Sequence, residues 1–323
     1  MSSVKGYLRS MKGLELSEAY YNEYGRRMIE NDFPHLAGFL AAGLCGSGSE
    51  CFGYDDGVSR DHDFEPGFIL FVPDEDVVGR RDFFELERAY SRLPLEFMGL
   101  ERQKVAPAGG ARRGVVRISD FLTAKTGLPR VPENFYEWFS VPEFSLAETV
   151  NGKIFEDRYG LVTSVREKLS EMPRDVRLKK LAGKLWLAGQ AAPYNYERCI
   201  RHGETGAAQL AMFEFADNVS SVVFLMNRKY RPFYKWSFRA MREFEVLGDI
   251  SHALESLISS GNTVGDVAGK LAACRGVLER VIDGLKELSL VSGGCDDPGR
   301  AAFEVNGKIE DAALRNENIL FGV

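Results

Sequence analysis

The sequence predicts an α+β chain: a mixed sheet with flanking helices in the first half, followed by an α-helical bundle in the second. Three observations predict it. Two apolar runs of strand length, Leu36 to Leu44 and Gly67 to Val72, stand either side of a polar Gly/Ser-rich stretch, and Arg112 to Ile118 alternates with period 2. From about residue 160 onward the apolar positions recur at spacings of three and four instead, which is the period of a helix face. At 323 residues the chain is long enough for two separate cores, and the change of period suggests domains at 1–150 and 151–323.

In order along the chain, Ser17 to Glu30 reads as a helix with Tyr20, Tyr24 and Met28 on one stripe, ended by Asp32-Phe33-Pro34. Gly38 to Cys45 and Gly67 to Val72 read as adjacent central strands. Pro73-Asp74 then opens a helix whose Phe83, Phe84, Leu86 and Tyr90 face inward, Leu100 to Gly110 is turn-rich, and Arg112 to Ile118 makes the third strand. Prolines and short aromatic stretches from Pro129 to Val150 read as a connection. Beyond it come a short helix at Leu161 to Leu169, a longer one from Asp175 to about His202, and a dense apolar helix from Ala207 to Lys229. Arg231-Pro232 restarts a helix, with proline at the first helical position where it forfeits no hydrogen bond. Val267, Leu271, Cys274, Leu278, Val281, Leu285 and Leu288 keep the spacing of a bundle seam.

Composition excludes some classes. The net charge of −6 makes a nucleic-acid partner unexpected, because neutralising phosphates needs a basic face. Five scattered cysteines without Cys-x-x-Cys spacing indicate neither a disulfide framework nor a zinc site, so the thiols are expected reduced. No apolar run approaches membrane-spanning length and no signal-peptide core is evident, so the expected location is the cytoplasm.

The chemistry concentrates between Gly46 and Phe71, GSGSECFGYDDGVSRDHDFEPGFILF. Gly46, Ser47, Gly48 and Ser49 follow a buried strand, where the backbone can bend sharply and turn N–H groups and hydroxyls toward an anion. In Asp61-His62-Asp63, period-2 geometry puts both carboxylates on one face. Like charges so close repel unless a cation lies between them, and hard oxygen donors suit magnesium. The alternative is a strand cap at Asp61 with Asp63 facing solvent.

Gly48-Ser49, with Gly53 four residues on and Asp61-x-Asp63 closing the loop, resembles the Gly-Ser … Asp-x-Asp signature of the nucleotidyltransferase superfamily. The wider text, with NGKIFEDRYG from Asn151 and MNRKYRPFYKW from Met226, is similar to an uncharacterised bacterial family assigned to that superfamily, with a C-terminal helical domain. The resemblance implies a nucleotidyltransferase-like fold in which Asp61 and Asp63 hold Mg2+ and Gly46 to Ser49 bind the β- and γ-phosphates. The reaction expected of such a site moves a nucleoside monophosphate from a nucleoside triphosphate, ATP being expected, to an acceptor that the sequence does not identify. Many members carry a third acid, base or second-metal ligand, on the third strand. This chain has Arg117 there, with Asp120 just past it and Asp157 in IFEDRYG, of which Asp157 matches the family text. The departure leaves open a non-catalytic regulator that keeps the fold without the chemistry.

Two groups in the second half complete the expected site, placed in a cleft between the domains. Tyr194, Arg198 and His202, at i, i+4 and i+8 with Arg201 beside them, form either a polar wall for the triphosphate or acceptor, or a solvated face. Tyr230 to Trp236 sets Lys235 among aromatics at a helix start, where anions are favoured, so Lys235 is expected to steady phosphates and to face the aspartates. The bland reading of that segment is aromatic packing with two surface cations.

Overall fold

The computed structural model describes residues 11–58, 64–102 and 113–323, and the chain forms two units, Met1–Pro132 with Ser145–Ser170 and Glu133–Phe144 with Glu171–Val323. In the first unit α1 (Gly13–Tyr20) runs through a wide turn, Tyr21–Gly25, into α2 (Arg26–Asp32). Four strands follow: β1 (Ala41–Leu44), β2 (Ile69–Val72), β5 (Gly114–Arg117) and β6 (Lys153–Asp157). They form a mixed sheet in the order β5-β2-β1-β6, with β1 antiparallel to β2 and β6 and with β2 parallel to β5. Every residue of β1 and β2 is buried, which is why both read as unbroken apolar runs rather than alternating ones.

Between these strands lie α3 (Arg80–Ser91), a short hairpin of β3 (Glu96–Phe97) and β4 (Leu100–Glu101), and α4 (Ile118–Thr126), which ends at Gly127 in the left-handed region at φ 77°. The chain then passes α5 (Phe135–Ser140), which belongs to the second unit, and α6 (Glu143–Val150), and after β6 it forms α7 (Leu161–Ser170). Tyr20, Tyr21, Phe68 and Tyr90 make the aromatic centre of the first core, with Phe68 edge-on to Tyr21 at 5.1 Å and to Tyr90 at 5.0 Å. The buried Tyr90 hydroxyl donates to the Phe68 carbonyl at 2.7 Å, so the ring carries no unpaired polar atom into the core.

The second unit is helical: α8 (Arg174–Gly189), α9 (Tyr196–Arg201), α10 (Thr205–Met226), α11 (Tyr234–Met241), α12 (Ser251–Ser259), α13 (Val264–Glu287), α14 (Pro298–Asn306) and α15 (Ala312–Asn316). α10 is its axis, buried almost all round from Phe215 to Met226. The expected seam of α13 is buried at Leu271, Cys274, Leu278, Val281 and Leu285, and Val277 and Ile282 widen it.

Several expectations change. A boundary at 150 would cut β6 from the sheet it completes, so the first unit extends to Ser170 while 133–144 joins the helices. The single helix expected from Asp175 to His202 is interrupted over Gln190–Asn195, where Ala192 is extended (φ −148°, ψ 140°) ahead of Pro193. Proline removes one helical N–H and pushes the residue before it out of the helical region. Phe84 is 60% exposed, because Phe83, Leu86 and Tyr90 share one face of α3 and Phe84 lies a third of a turn away. Pro232 precedes the N-cap Phe233 rather than opening α11. Leu288 lies beyond α13 and is 40% exposed.

Candidate functional site

The Ser/Gly turn leaves the carboxyl end of β1. Gly46, at φ 131°, takes a conformation that side chains disfavour. The Asn151 amide holds it like a strand partner: Gly46 N–H donates to Oδ1 at 2.9 Å, and Nδ2 donates to the Gly46 carbonyl at 2.8 Å. A single 3-10 turn, Ser49–Phe52, follows, closed by Tyr54 N–H donating to the Ser49 carbonyl at 2.9 Å and by Gly53 at φ 74°. Gly152, in the turn before β6, donates to the Cys51 carbonyl at 2.8 Å and lies so close to Leu44 that no Cβ fits.

Charged residues surround this turn. The carboxylate of Glu50, itself buried, folds over Gly48 and leaves no space for a side chain there. Buried Arg113 lies 3.6 Å from Glu50 and 3.2 Å from Glu65. The Lys125 ammonium stands near Gly46 and pairs with Glu148 at 2.6 Å. Burial pushes the Cys45 thiol up to about 11 against the pull of Arg166 and Lys125, so it is an inert filler rather than a nucleophile. Sequence reasoning missed Glu50, Glu65, Arg113, Lys125 and Asn151. No spacing joins them, because the sheet's long-range pairings gather them.

Register decides which expected residues meet. Gly43 pairs with Ile69 and Ile69 with Gly114, so the end of β1, the start of β2 and the start of β5 share one end of the sheet. Asp61 and Asp63 lie outside the described residues. In the sequence they stand between the Ser/Gly turn and β2. Asp157 pairs with Ala41 and Arg117 with Val72, both at the opposite end.

There the Asp157 carboxylate, expected as the third acid, accepts from the N–H groups of Leu161, Val162 and Thr163 at 2.8 to 2.9 Å and caps α7. Arg117 donates to the carbonyls of Pro73 and Val78 at 2.8 and 2.9 Å and lies over the Phe83 ring, so it secures the chain leaving β2. Asp120 is exposed on the first turn of α4. Among the described residues no group of three His, Cys, Asp or Glu side chains could hold a metal ion.

In the second unit, exposed Arg198 donates to the Tyr194 hydroxyl at 3.0 Å and stacks on its ring, so these two do meet across the start of α9. Arg201 pairs with Glu197 at 2.5 Å, and His202 caps α9. Lys235 is exposed in the first turn of α11, its ammonium 5.1 Å from the Trp236 ring. Arg231 is instead tied to Asp217 at 2.6 Å, Ser221 at 3.0 Å and Ser237 at 2.8 Å, which fixes the segment that enters α11.

Residues 138–237 match the family model "Domain of unknown function (DUF4037)". Among solved structures the chain is similar to a nucleotidyltransferase-like protein from Exiguobacterium sibiricum 255-15, at 13% identity over 82% of this chain and 78% of that chain, with a TM-score of 0.37. A likeness of that size is too low to bear on the assignment. No curated protein matches the chain. Among the described residues, no helix is long and apolar enough to cross a membrane.

Proposed function

We propose that this chain is a magnesium-dependent nucleotidyltransferase that moves a nucleoside monophosphate from a nucleoside triphosphate, ATP by expectation, to an unidentified acceptor. One observation carries the reading. The glycine turn that can present N–H groups to phosphates leaves the carboxyl end of β1, beside the start of β2, and Asp61-x-Asp63 follows it in the sequence. Two carboxylates suit a hard cation such as Mg2+ as donors, and Asp61 and Asp63 would hold it. The ion would offset phosphate charge while Gly46 to Ser49 orient the β- and γ-oxygens. Lys235 and Arg198 are proposed to meet the phosphates from the helical unit. The general base is left unassigned, because Asp157 is committed to α7. The cytoplasm is the proposed location, supported by five free cysteines.

A second reading, a regulator that keeps the fold without catalysis, is favoured by Glu50. Its carboxylate lies over Gly48, where it would repel a phosphate unless Arg113 draws it aside.

The test is thermal unfolding with and without magnesium and each common nucleoside triphosphate. A ligand at about 100 times its dissociation constant stabilises the folded state by roughly 2.7 kcal/mol, a melting shift of several degrees. Asp61→Asn and Asp63→Asn are expected to remove most of that shift while leaving the unliganded melting temperature nearly unchanged. No shift with any triphosphate would favour the regulator, and large losses of unliganded stability would make the aspartates structural caps.

A further inference from the structure

We propose that a cationic cavity of the helical unit, lined by Arg174, Arg177, Arg228 and Lys229, binds the phosphate group of a small molecule. The site is separate from the Ser/Gly turn and does not depend on nucleotidyl transfer.

The cavity, open to solvent on one side, has a volume of about 170 Å3, several times the ~30 Å3 a water takes up in the liquid. Its cations come from two places in the sequence that α8 and α10 bring together: Arg174 and Arg177 at the start of α8, and Arg228 and Lys229 just past the end of α10. Glu171 supplies the one carboxylate in its lining, and it reaches Arg228 only at 3.9 Å. Arg174 is partly neutralised by Asp175 and Glu310, each at 3.2 Å. Lys229 has no acidic partner among the described residues.

Arg177 states the problem most sharply. It is half-buried, and its one side-chain hydrogen bond among the described residues runs from Nη1 to the Leu225 carbonyl at 3.3 Å. Burial works against its charge, and the Arg228 and Arg174 charges add to that. The partial negative charge at the end of α10 accounts for one cation there, not for four.

Arg228 sits at φ 54° as the left-handed residue that closes α10, where Lys229 N–H donates to the Phe224 carbonyl at 3.0 Å, and its guanidinium joins the same cluster. A planar guanidinium fork matches the oxygens of a phosphate, and a dianion would relieve the mutual repulsion of the cluster. Beside it, the buried Tyr230 ring gives a wall for the organic part of a phosphate ester.

The experiment uses the full chain without magnesium. Melting temperature is followed against inorganic phosphate and against glycerol phosphate, with chloride at matched ionic strength as reference. A saturable rise specific to phosphate is expected. Arg228→Gln and Lys229→Gln, both exposed, should weaken it by about tenfold each, the scale of one charge-assisted contact. Arg177→Lys keeps the charge but loses the fork and should weaken it as well. A larger effect from the ester identifies a small phosphorylated molecule as the ligand, and equal effects identify the free anion. No rise beyond chloride, or an Arg228→Gln protein that responds like the wild type, overturns the site. Because none of these variants touches Asp61 or Asp63, failure here is distinct from failure of the nucleotidyltransferase reading.

Discussion

Asp157 shows how one carboxylate can be read two ways. In sequence it stands in the stretch that matches a domain family of unknown function, where it is expected as a third acid. In the fold it accepts three backbone N–H groups at the start of α7, where helix ends leave donors unpaired. Asp157→Ala should therefore lower stability by about 1 kcal/mol and Asp157→Asn by less, as for other helix caps. Denaturant unfolding checks this, and an alanine variant as stable as the wild type would remove the cap. The thiols divide in a similar way. Cys45, Cys51, Cys274 and Cys295 are buried, and burial pushes the Cys45 thiol up to about 11 and that of Cys274 to about 12. Iodoacetamide at mildly alkaline pH is expected to modify the half-exposed Cys199 first, as peptide mass spectrometry would show. Equal labelling of Cys45 would mean that the Ser/Gly turn opens in solution.

At the scale of the element, the decisive piece is the junction of β1, the turn and β6. Asn151 and Gly152 lie together before β6: one clamps Gly46, the other passes against Leu44. Gly152→Ala needs φ near 67° with its Cβ driven into the Leu44 carbonyl, so it should cost more than about 2 kcal/mol and disturb the turn. Gly53→Ala has a similar φ, 74°, but open space around it, and should cost only about 1–2 kcal/mol. Comparing their melting temperatures separates crowding from backbone strain, and a Gly152→Ala protein as stable as Gly53→Ala would refute the close contact. The break between α8 and α9 was legible in Pro193, a residue that the apolar periodicity around it obscures.

Across the whole molecule, alkaline pH probes the first core. Burial, more than any neighbour, pushes the Tyr20 hydroxyl up to about 12 from 10, and Tyr21 and Tyr90 are raised as well. A raised folded value means that the unfolded chain gives up its proton first. The contribution is thus whole below pH 10 and is lost between about 10 and 12. Denaturation midpoints at pH 8 and pH 11 should differ accordingly, and Tyr20→Phe should narrow the gap. A midpoint unchanged to pH 11 would mean that Tyr20 reaches solvent in the folded state.

The sequence by itself determined the class of the molecule. Its strand and helix periods separate a sheet from a bundle, its unbroken apolar runs mark β1 and β2 as central, and its Ser/Gly turn stands beyond β1. These are local properties, written in the order of side chains along one element. Only the tertiary structure decided which residues gather at the turn. Strand register sends Asp157 and Arg117 to one end of the sheet and Arg113 to the other, beside Glu50 and Glu65. Helix packing brings the start of α8 to the end of α10 and builds the cationic cavity. Register and packing are pairings between distant segments, set by the burial of whole faces, and no spacing along the chain records which segment the partner is.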